Sequence, residues 1–271
     1  MDLPSWHQIN IAYTGDNCHR EQAALNHLRQ VIPAAERAGL ITSWWFIRKG
    51  SWRIRYMTTD NPDSPALAHQ LISHNVAWTH DIYEPEIRAF GGPDAMTAAH
   101  TLFHHDSRHL LDYLDQHRAD RREQSLILCT ALMRAAALDL NEQGDVWAKV
   151  LDYRTDDLHE PPAPDAETWE SFTKDVRRLI EGTASSPGEW HTAFHEAGTT
   201  LRSLREHGKL TRGLRAVIAL HIIFHWNRIG LPATTQARLA CAAAEAIFDD
   251  APDLSTRWLR TSVTAVPHTP A

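Results

Sequence analysis

The sequence lacks the features that mark several large protein classes. No apolar run approaches the roughly 20 residues that span a bilayer, and the opening MDLPSWHQIN has neither the basic nor the apolar region of a signal peptide. Cys18, Cys129 and Cys241 lie far apart and belong to no paired metal or redox motif, so we expect reduced thiols. These absences predict a cytoplasmic protein that is neither membrane-spanning nor built on disulfides.

Basic charge and glycine-rich loops are also scarce. The 271 residues carry 27 Lys and Arg against 34 Asp and Glu, a net charge of -7, whereas a nucleic-acid surface needs cations to neutralise phosphates. The sequence has no nucleotide-binding glycine loop and no nucleophile elbow, and Gly91-Gly92 alone is a weak signal for either. We therefore expect no direct binding of nucleic acid.

The order of the remaining patterns predicts an α+β fold. Up to about residue 90, strand-like alternation and helical spacing take turns along the chain. The elements expected there are a strand at WHQINIAYT, a helix over about 20–37, a hairpin at ITSWWFIRKGSWRIRYMTT turning at Lys49-Gly50, a short helix over 64–73, and a strand at VAWTHDIYEPE.

From Pro93 onward the apolar spacing is helical, and Pro93 itself suits a first helical turn. SLILCTALMRAAALDL is apolar nearly all round and predicts one buried helix, whereas LRAVIALHIIFHWNRIG predicts an apolar helix closed by Pro232. A polar loop, LHEPPAPDAET, separates the helical sets. We expect a single domain over 1–260, with its β-rich part to about 90, its helical part over about 93–250, and a disordered tail at 261–271.

Histidine is unusually abundant, with 18 residues. Four pairs have the i,i+4 spacing that places two zinc ligands on one helix face, namely His100/His104, His105/His109, His191/His195 and His221/His225. All four lack the internal glutamate of the HExxH pattern. The sequence therefore predicts no metal site.

His225 is a better candidate as a single residue. In FHWNR, an apolar helix abruptly carries His225, Asn227 and Arg228, and polar groups in such a setting must be hydrogen-bonded or functional. Histidine is the commonest proton-transfer side chain, whereas Arg228 also complements the helix dipole. Two interpretations stay open: His225 transfers protons, or the cluster is a structural network at the helix end.

Arginines mark two further places. Arg53 and Arg55 alternate with Ile54, so both lie on one face of the strand and offer a fork for carboxylates or for a peptide backbone. The alternative is a solvated strand.

The segment YEPEIRAFGG places Arg88 between a strand and a helix N-terminus, where a bound anion would meet a guanidinium and free backbone amides. The alternative is that Arg88 forms an ion pair with Glu84 or Glu86.

Four segments together resemble one family. In order, they are WHQINIAY, WWFIRKGSWRIRY, YEPEIRAFGGPDAMTAAHTLFHHDSRHLLDYL and HIIFHWNRIGLP. They are similar to the thiopeptide-type bacteriocin biosynthesis domain, also known as the C-terminal domain of class I lantibiotic dehydratases, from Trp6 to about Ala240. The resemblance implies a stand-alone enzyme, without metal or organic cofactor, that acts on a ribosomally made precursor peptide beside a separate glutamylating subunit. A homodimer stays open.

The resemblance also implies roles for single residues. In eliminating members, a serine or threonine esterified with glutamate loses that glutamate to give dehydroalanine or dehydrobutyrine. Arg88 matches an arginine of the family, and the resemblance implies that it holds the glutamate carboxylate. For His225 the resemblance implies a role in proton transfer. The substrate-binding candidates are Arg53, Arg55, Tyr83, Glu86, Asn227 and Arg228.

Two alternatives to elimination stay open. Eliminating members often have a second arginine two positions before the Arg88 site, where this sequence has Glu86. That departure keeps open the pyridine synthases, which join two dehydroalanines in a formal [4+2] cycloaddition and expel the leader peptide. The third possibility is a non-catalytic partner that binds the leader peptide by adding it to the N-terminal strands.

Overall fold

The computed structural model describes residues 6–116, 119–154, 166–182 and 188–248. An antiparallel sheet within residues 6–81 is followed by helices, which confirms the predicted α+β class. In chain order the elements are β1 (Trp6–Ile11), α1 (Asn17–Arg37), β2 (Ile41–Lys49), β3 (Ser51–Thr58), α2 (Ser64–Ile72), β4 (Trp78–Asp81), α3 (Pro93–Asp115), α4 (Arg121–Ala135), α5 (Leu140–Asp152), α6 (Ala166–Glu181), α7 (Glu189–Glu206), α8 (Leu214–Ile229) and α9 (Ala233–Phe248).

The sheet has the strand order β2-β3-β1-β4. β2 and β3 form the predicted hairpin, whose turn is at Gly50 with a φ of 78°, a left-handed conformation that favours glycine. Side chains alternate between the two faces of a sheet. One face belongs to the main core that also includes the buried side of α1, and the other carries Trp45 and Ile47, which pack with residues of α3.

The two edges of the sheet differ. At β2, side chains of α3 take the place of a further strand: Nδ1 of His104 lies 3.2 Å from the backbone nitrogen of Trp44, and the Ser107 hydroxyl accepts from the N–H of Phe46 at 3.2 Å. At the other edge, β4 is four residues long and largely exposed. An unpaired edge is a template for strand addition. The side chains of α3 close the β2 edge, whereas β4 stays largely exposed.

Several helices are held at close range by small or aromatic residues. A Cβ on Gly198 in α7 would lie 2.3 Å from the carbonyl oxygen of Leu132, so glycine lets α7 approach α4. Trp147 and Trp226 stack at 5.8 Å between α5 and α8, and the indole N–H of Trp226 donates to Ser125. Within the described residues, no helix is both long and apolar enough to cross a bilayer.

Two predicted boundaries are wrong, and one is confirmed. SLILCTALMRAAALDL is not one helix, because α4 ends at Ala135, Ala137 has a φ of 55°, and Asp139 forms a capping box that starts α5. α8 ends at Ile229 and is capped by Gly230 in the left-handed conformation, two residues before Pro232, so the segment LRAVIALHIIFHWNRIG forms the predicted helix. The strand expected at VAWTHDIYEPE is confined to β4.

Two further expectations fall largely or wholly outside the described residues. Of the polar loop LHEPPAPDAET, only its last residues are described, and they belong to α6. The tail at 261–271 lies outside the described part of the chain.

Candidate functional site

The site begins with a polar row across the sheet. Strand pairing places Trp45, Arg55, Gln8 and Asp81 beside one another on β2, β3, β1 and β4. Arg55 Nε donates to Gln8 Oε1 at 2.6 Å, and Gln8 Nε2 donates to Asp81 Oδ2 at 2.6 Å. The row therefore fixes the Arg55 guanidinium through a chain of hydrogen bonds that ends on a carboxylate.

Aromatic rings hold the same guanidinium from two directions. Its central carbon lies 4.3 Å from the centroid of Trp45 and 4.0 Å from that of Tyr83, within cation–π range. Arg55 is 8% exposed, and burial lowers its pKa to about 10, against the opposing influence of Tyr83 and Glu86, so it stays charged at neutral pH. Among the described residues, its two terminal nitrogens have no hydrogen-bond partner.

Tyr83 and His100 complete what we call the Arg55 cluster, made of Arg55, Gln8, Trp45, Tyr83 and His100. The Tyr83 hydroxyl lies 2.8 Å from Nε2 of His100, which projects from α3. Burial and the Arg55 charge lower the pKa of His100 to about 4, so its ring is neutral at neutral pH. Burial raises the pKa of Tyr83 above its ordinary value, which keeps the phenol protonated. The sequence had pointed to His100 only as a metal-pair candidate.

The other predicted substrate-binding residues of this region surround the cluster. Arg53 pairs in register with Asn10 and shares a sheet face with Arg55, as the alternation predicted. Partial desolvation raises the pKa of Glu86, while the charges of Arg55 and Lys49 oppose that change. Glu86 therefore lies within electrostatic reach of Arg55.

The Arg88 side chain is exposed, and the structure gives no hydrogen bond or ion pair between that side chain and another described residue. The alternative in which Arg88 pairs with Glu84 or Glu86 is therefore not observed. An exposed, unpaired guanidinium near the start of α3 is available to an anion.

The double glycine after Arg88 has a packing role. Gly91 and Gly92 have φ values of 90° and 113°, and the Gly91 carbonyl accepts from the N–H of Thr211 at 2.9 Å. A Cβ on Gly91 would lie 3.1 Å from Val217. Glycine at both positions thus lets the segment between α7 and α8 pack closely against this turn. This packing accounts for the two glycines without a bound ligand.

His225 and Arg228 meet in a second cluster around a carboxylate. Asp106 Oδ2 lies 3.0 Å from His225 Nδ1 and accepts from Arg228 Nε at 2.7 Å, and Asp106 Oδ1 accepts from the Trp190 indole at 2.8 Å. Asp106, His225 and Arg228 are each 0% exposed. Burial alone would raise the pKa of Asp106, but the charges and hydrogen bonds of His225 and Arg228 lower it to about 2.

We call Asp106, Trp190, His225 and Arg228 the Asp106 cluster. Its burial and internal hydrogen bonds are those expected of a structural network at the end of α8. Asn227 does not join it, because its side-chain oxygen accepts from Arg154 at 3.1 Å and from Gln236 at 3.0 Å. Sequence reasoning missed Asp106 because HDSRH gave no spatial information. Its position on the buried stripe of α3 was the available signal, since a carboxylate there requires a cationic partner.

The histidine pairs do not converge on a metal centre. His100 contacts Tyr83, whereas His104 contacts the backbone of Trp44. Among the described residues, no group of three or more His, Cys, Asp or Glu side chains is placed to hold a metal ion.

Comparison with known proteins gives one family and a set of similar structures, three of which are described below. The family model for the lantibiotic biosynthesis dehydratase C-terminus matches residues 6–247. No curated protein sequence matches the chain. TsrL is 16% identical with a TM-score of 0.57 over 98% of this chain and 99% of its own. The pyridine synthase TbtD from thiomuracin biosynthesis is 14% identical with a TM-score of 0.62 over 90% of this chain and 98% of its own.

The third similar structure is a larger protein. The tRNA-dependent lantibiotic dehydratase MibB from Microbispora sp. 107891 is 17% identical, with a TM-score of 0.56 over 94% of this chain. The chain spans 28% of the length of MibB. At these identities the three structures establish the shared fold.

Proposed function

The chain belongs to the family of lantibiotic biosynthesis dehydratase C-terminal domains, and on this premise we propose that it eliminates glutamate from glutamylated serine or threonine in a ribosomally made precursor peptide. The products are dehydroalanine and dehydrobutyrine. A separate glutamylating subunit supplies the ester, and the reaction needs no metal or organic cofactor.

The observation that supports elimination most is the state of Arg55. Its Nε is fixed by Gln8 and its plane lies against Trp45 and Tyr83, while its two terminal nitrogens have no partner among the described residues. A guanidinium held in this way is preorganised for bidentate binding of a carboxylate. We assign it the esterified carboxyl of the glutamyl group, which leaves as a carboxylate, with Arg88 and Arg53 as further cations for the acidic substrate.

The chemistry requires three events at the modified residue. A base takes the α-proton, the Cβ–O bond breaks, and the electron pair of that bond leaves with glutamate as a carboxylate while the Cα–Cβ double bond forms. Cations that favour the departing carboxylate lower the barrier because charge develops there in the transition state. Arg55 and Arg88 are suited to that role.

Proton transfer by His225 stays a prediction. Its ring is 0% exposed, Nδ1 is taken up by Asp106, and Nε2 has no hydrogen-bond partner among the described residues. A proton-transfer role would need substrate to reach a fully buried atom. These contacts favour the structural interpretation of His225.

The second candidate function is pyridine formation by [4+2] cycloaddition of two dehydroalanines with loss of the leader peptide. It is favoured by Glu86, whose negative charge acts on Arg55 and would compete with a bound glutamate. The non-catalytic alternative, binding of the leader peptide by strand addition, is favoured by the exposed edge of β4.

One experiment separates these functions. The purified protein is incubated with a synthetic peptide carrying one glutamyl-esterified serine and, separately, with a leader-bearing peptide that contains two dehydroalanines. Elimination predicts free glutamate and a dehydroalanine peptide in the first reaction, measured by mass spectrometry. A macrocycle with released leader in the second reaction, and no glutamate in the first, would replace elimination by cycloaddition. Binding without conversion of either peptide would support the non-catalytic alternative.

A further inference from the structure

The contact between Tyr83 and His100 is not used by carboxylate binding at Arg55. The two residues come from different elements, since Tyr83 follows β4 and His100 lies in α3, and they meet at 2.8 Å between the phenol oxygen and Nε2. The His100 ring also lies 4.6 Å from that of Trp6. The phenol is thus held on one side by an imidazole and on its face by the Arg55 guanidinium.

Two directions of the shared hydrogen bond are available. If the phenol donated to Nε2, the pair could act as a base, and the proton would end on His100 as an imidazolium. The Arg55 charge opposes that outcome, because it lies against Tyr83 and lowers the pKa of His100. In the other tautomer of neutral His100, Nε2–H donates to the phenol oxygen, and the phenol proton is free to point at a substrate.

We infer that Tyr83 is a catalytic residue that donates a hydrogen bond to the peptide carbonyl oxygen of the residue being modified, and that His100 is a positioning residue that holds the phenol by donating from Nε2. Negative charge builds up on that carbonyl oxygen when the α-proton leaves, so a fixed donor there stabilises the transition state. The neighbouring Arg55 charge strengthens the donor. This inference rests on the proposed elimination function.

The test uses three variants of the full chain and a matched control. Tyr83→Phe removes the hydroxyl but keeps the ring under Arg55; His100→Leu removes the donor; His100→Gln keeps an N–H at the place of Nε2. The control is His105→Leu, an exposed histidine of the same helix. The readouts are kcat and KM for glutamate release from the glutamyl-serine peptide, with near-UV circular dichroism to verify folding.

We expect Tyr83→Phe to lower kcat by roughly 100- to 1,000-fold, the scale for loss of one such donor, with KM changed less than about threefold. His100→Leu should lower kcat by about tenfold or more, and His100→Gln should restore most of it. A folded Tyr83→Phe protein with the kcat of His105→Leu would overturn the inference alone, as would equal losses in the Leu and Gln variants at position 100. A wild-type protein that releases no glutamate would overturn the elimination function and the inference with it.

Discussion

The Arg55 cluster and the Asp106 cluster lie at the two ends of one pair of aromatic rings. Arg55 is 4.3 Å from Trp45, Arg228 is 4.4 Å from Phe103, and the two rings are 4.8 Å apart. Both clusters combine an arginine, a histidine and aromatic side chains. Among the described residues, only the Asp106 cluster contains a carboxylate in direct contact with its arginine.

That difference determines what each cation can do. The Arg228 charge is compensated inside the protein by Asp106, so the cluster belongs to the fold. Both arginines have terminal nitrogens without a hydrogen-bond partner among the described residues, but Arg55 has no carboxylate in direct contact there, so its charge is available to a ligand. The comparison shows that an arginine stacked on aromatic rings is not by itself a binding site. Whether its charge is available to a ligand depends on whether a carboxylate of the protein is in direct contact with it.

The largest effect should come from removing the buried carboxylate charge. Asp106→Asn leaves Arg228 buried without its counter-ion, and breaking a buried pair in this way costs about 3 to 5 kcal/mol. Chemical unfolding followed by circular dichroism measures the loss. Asp112→Asn on the same helix, at a position that is 76% exposed, is the control and should stay within about 0.5 kcal/mol. A change below about 1 kcal/mol at Asp106 would contradict the structural role of the cluster.

The second effect concerns activity at the other end of the ring pair. Arg55→Ala removes charge-assisted hydrogen bonds of about 1.5 to 3 kcal/mol, which corresponds to a fall of roughly 10- to 150-fold in the rate of glutamate release. The rate is measured with the glutamyl-serine peptide. Arg202→Ala, an exposed arginine of α7, is the control. If Arg55→Ala unfolded the protein as readily as Asp106→Asn, the contrast between the clusters would be lost.

Acid should reveal the two clusters in different pH windows. The pKa of Asp106 is about 2 in the folded protein against an ordinary 3.8, so its contribution of about 2 kcal/mol is present above pH 3.8 and is lost as the pH falls towards 2. The pKa of His100 is about 4 against 6.5, so the unfolded chain binds its proton first and stability falls between pH 6.5 and 4.

Unfolding free energies measured across this pH range test the assignment. His100→Gln should reduce the slope between pH 6.5 and 4 and leave the slope below pH 4 unchanged. Burial also lowers the pKa of His221 to about 4. His221 therefore still contributes to the slope between pH 6.5 and 4 in the His100→Gln variant. An unaltered upper slope in His100→Gln would show that His100 is not buried as a neutral ring.

The smallest effect is expected at Arg88. Its side chain is exposed and forms no ion pair with the described residues, so Arg88→Ala should change the unfolding free energy by less than about 0.5 kcal/mol. An exposed charge interaction with the substrate is worth up to about 1 kcal/mol, or about fivefold in rate. Arg88→Lys should retain most of the activity. A much larger loss in rate would indicate that Arg88 contacts the substrate carboxylate directly.

Local patterns predicted much of this fold. Alternation in SWRIRYMT placed Arg53 and Arg55 on one face of β3, and helical spacing after Pro93 predicted α3. These predictions succeeded because each depends on residues a few positions apart. The break between α4 and α5 was missed, since it depends on the backbone of Ala137 and on the cap at Asp139 rather than on apolar spacing.

The site was harder to predict because its partners are distant in sequence. Asp106 and His225 are separated by 119 residues, and Arg55 and Gln8 by 47. Nothing local to FHWNR distinguishes a histidine that faces a cleft from one that faces a buried carboxylate. The pair Tyr83 and His100 lies closer, at 17 residues, but its contact depends on how the chain after β4 packs on α3.

The closure of the β2 edge also depends on the order in which the chain is synthesised. The hairpin of β2 and β3 can form once residue 58 is available, but the side chains that cover its edge, His104 and Ser107, follow about fifty residues later. During synthesis, at roughly 5 to 20 residues per second, the backbone of Trp44 and Phe46 therefore stays uncovered for several seconds while neighbouring chains are nearby. The protein is most prone to pair with another nascent chain in that interval, before α3 has emerged and docked.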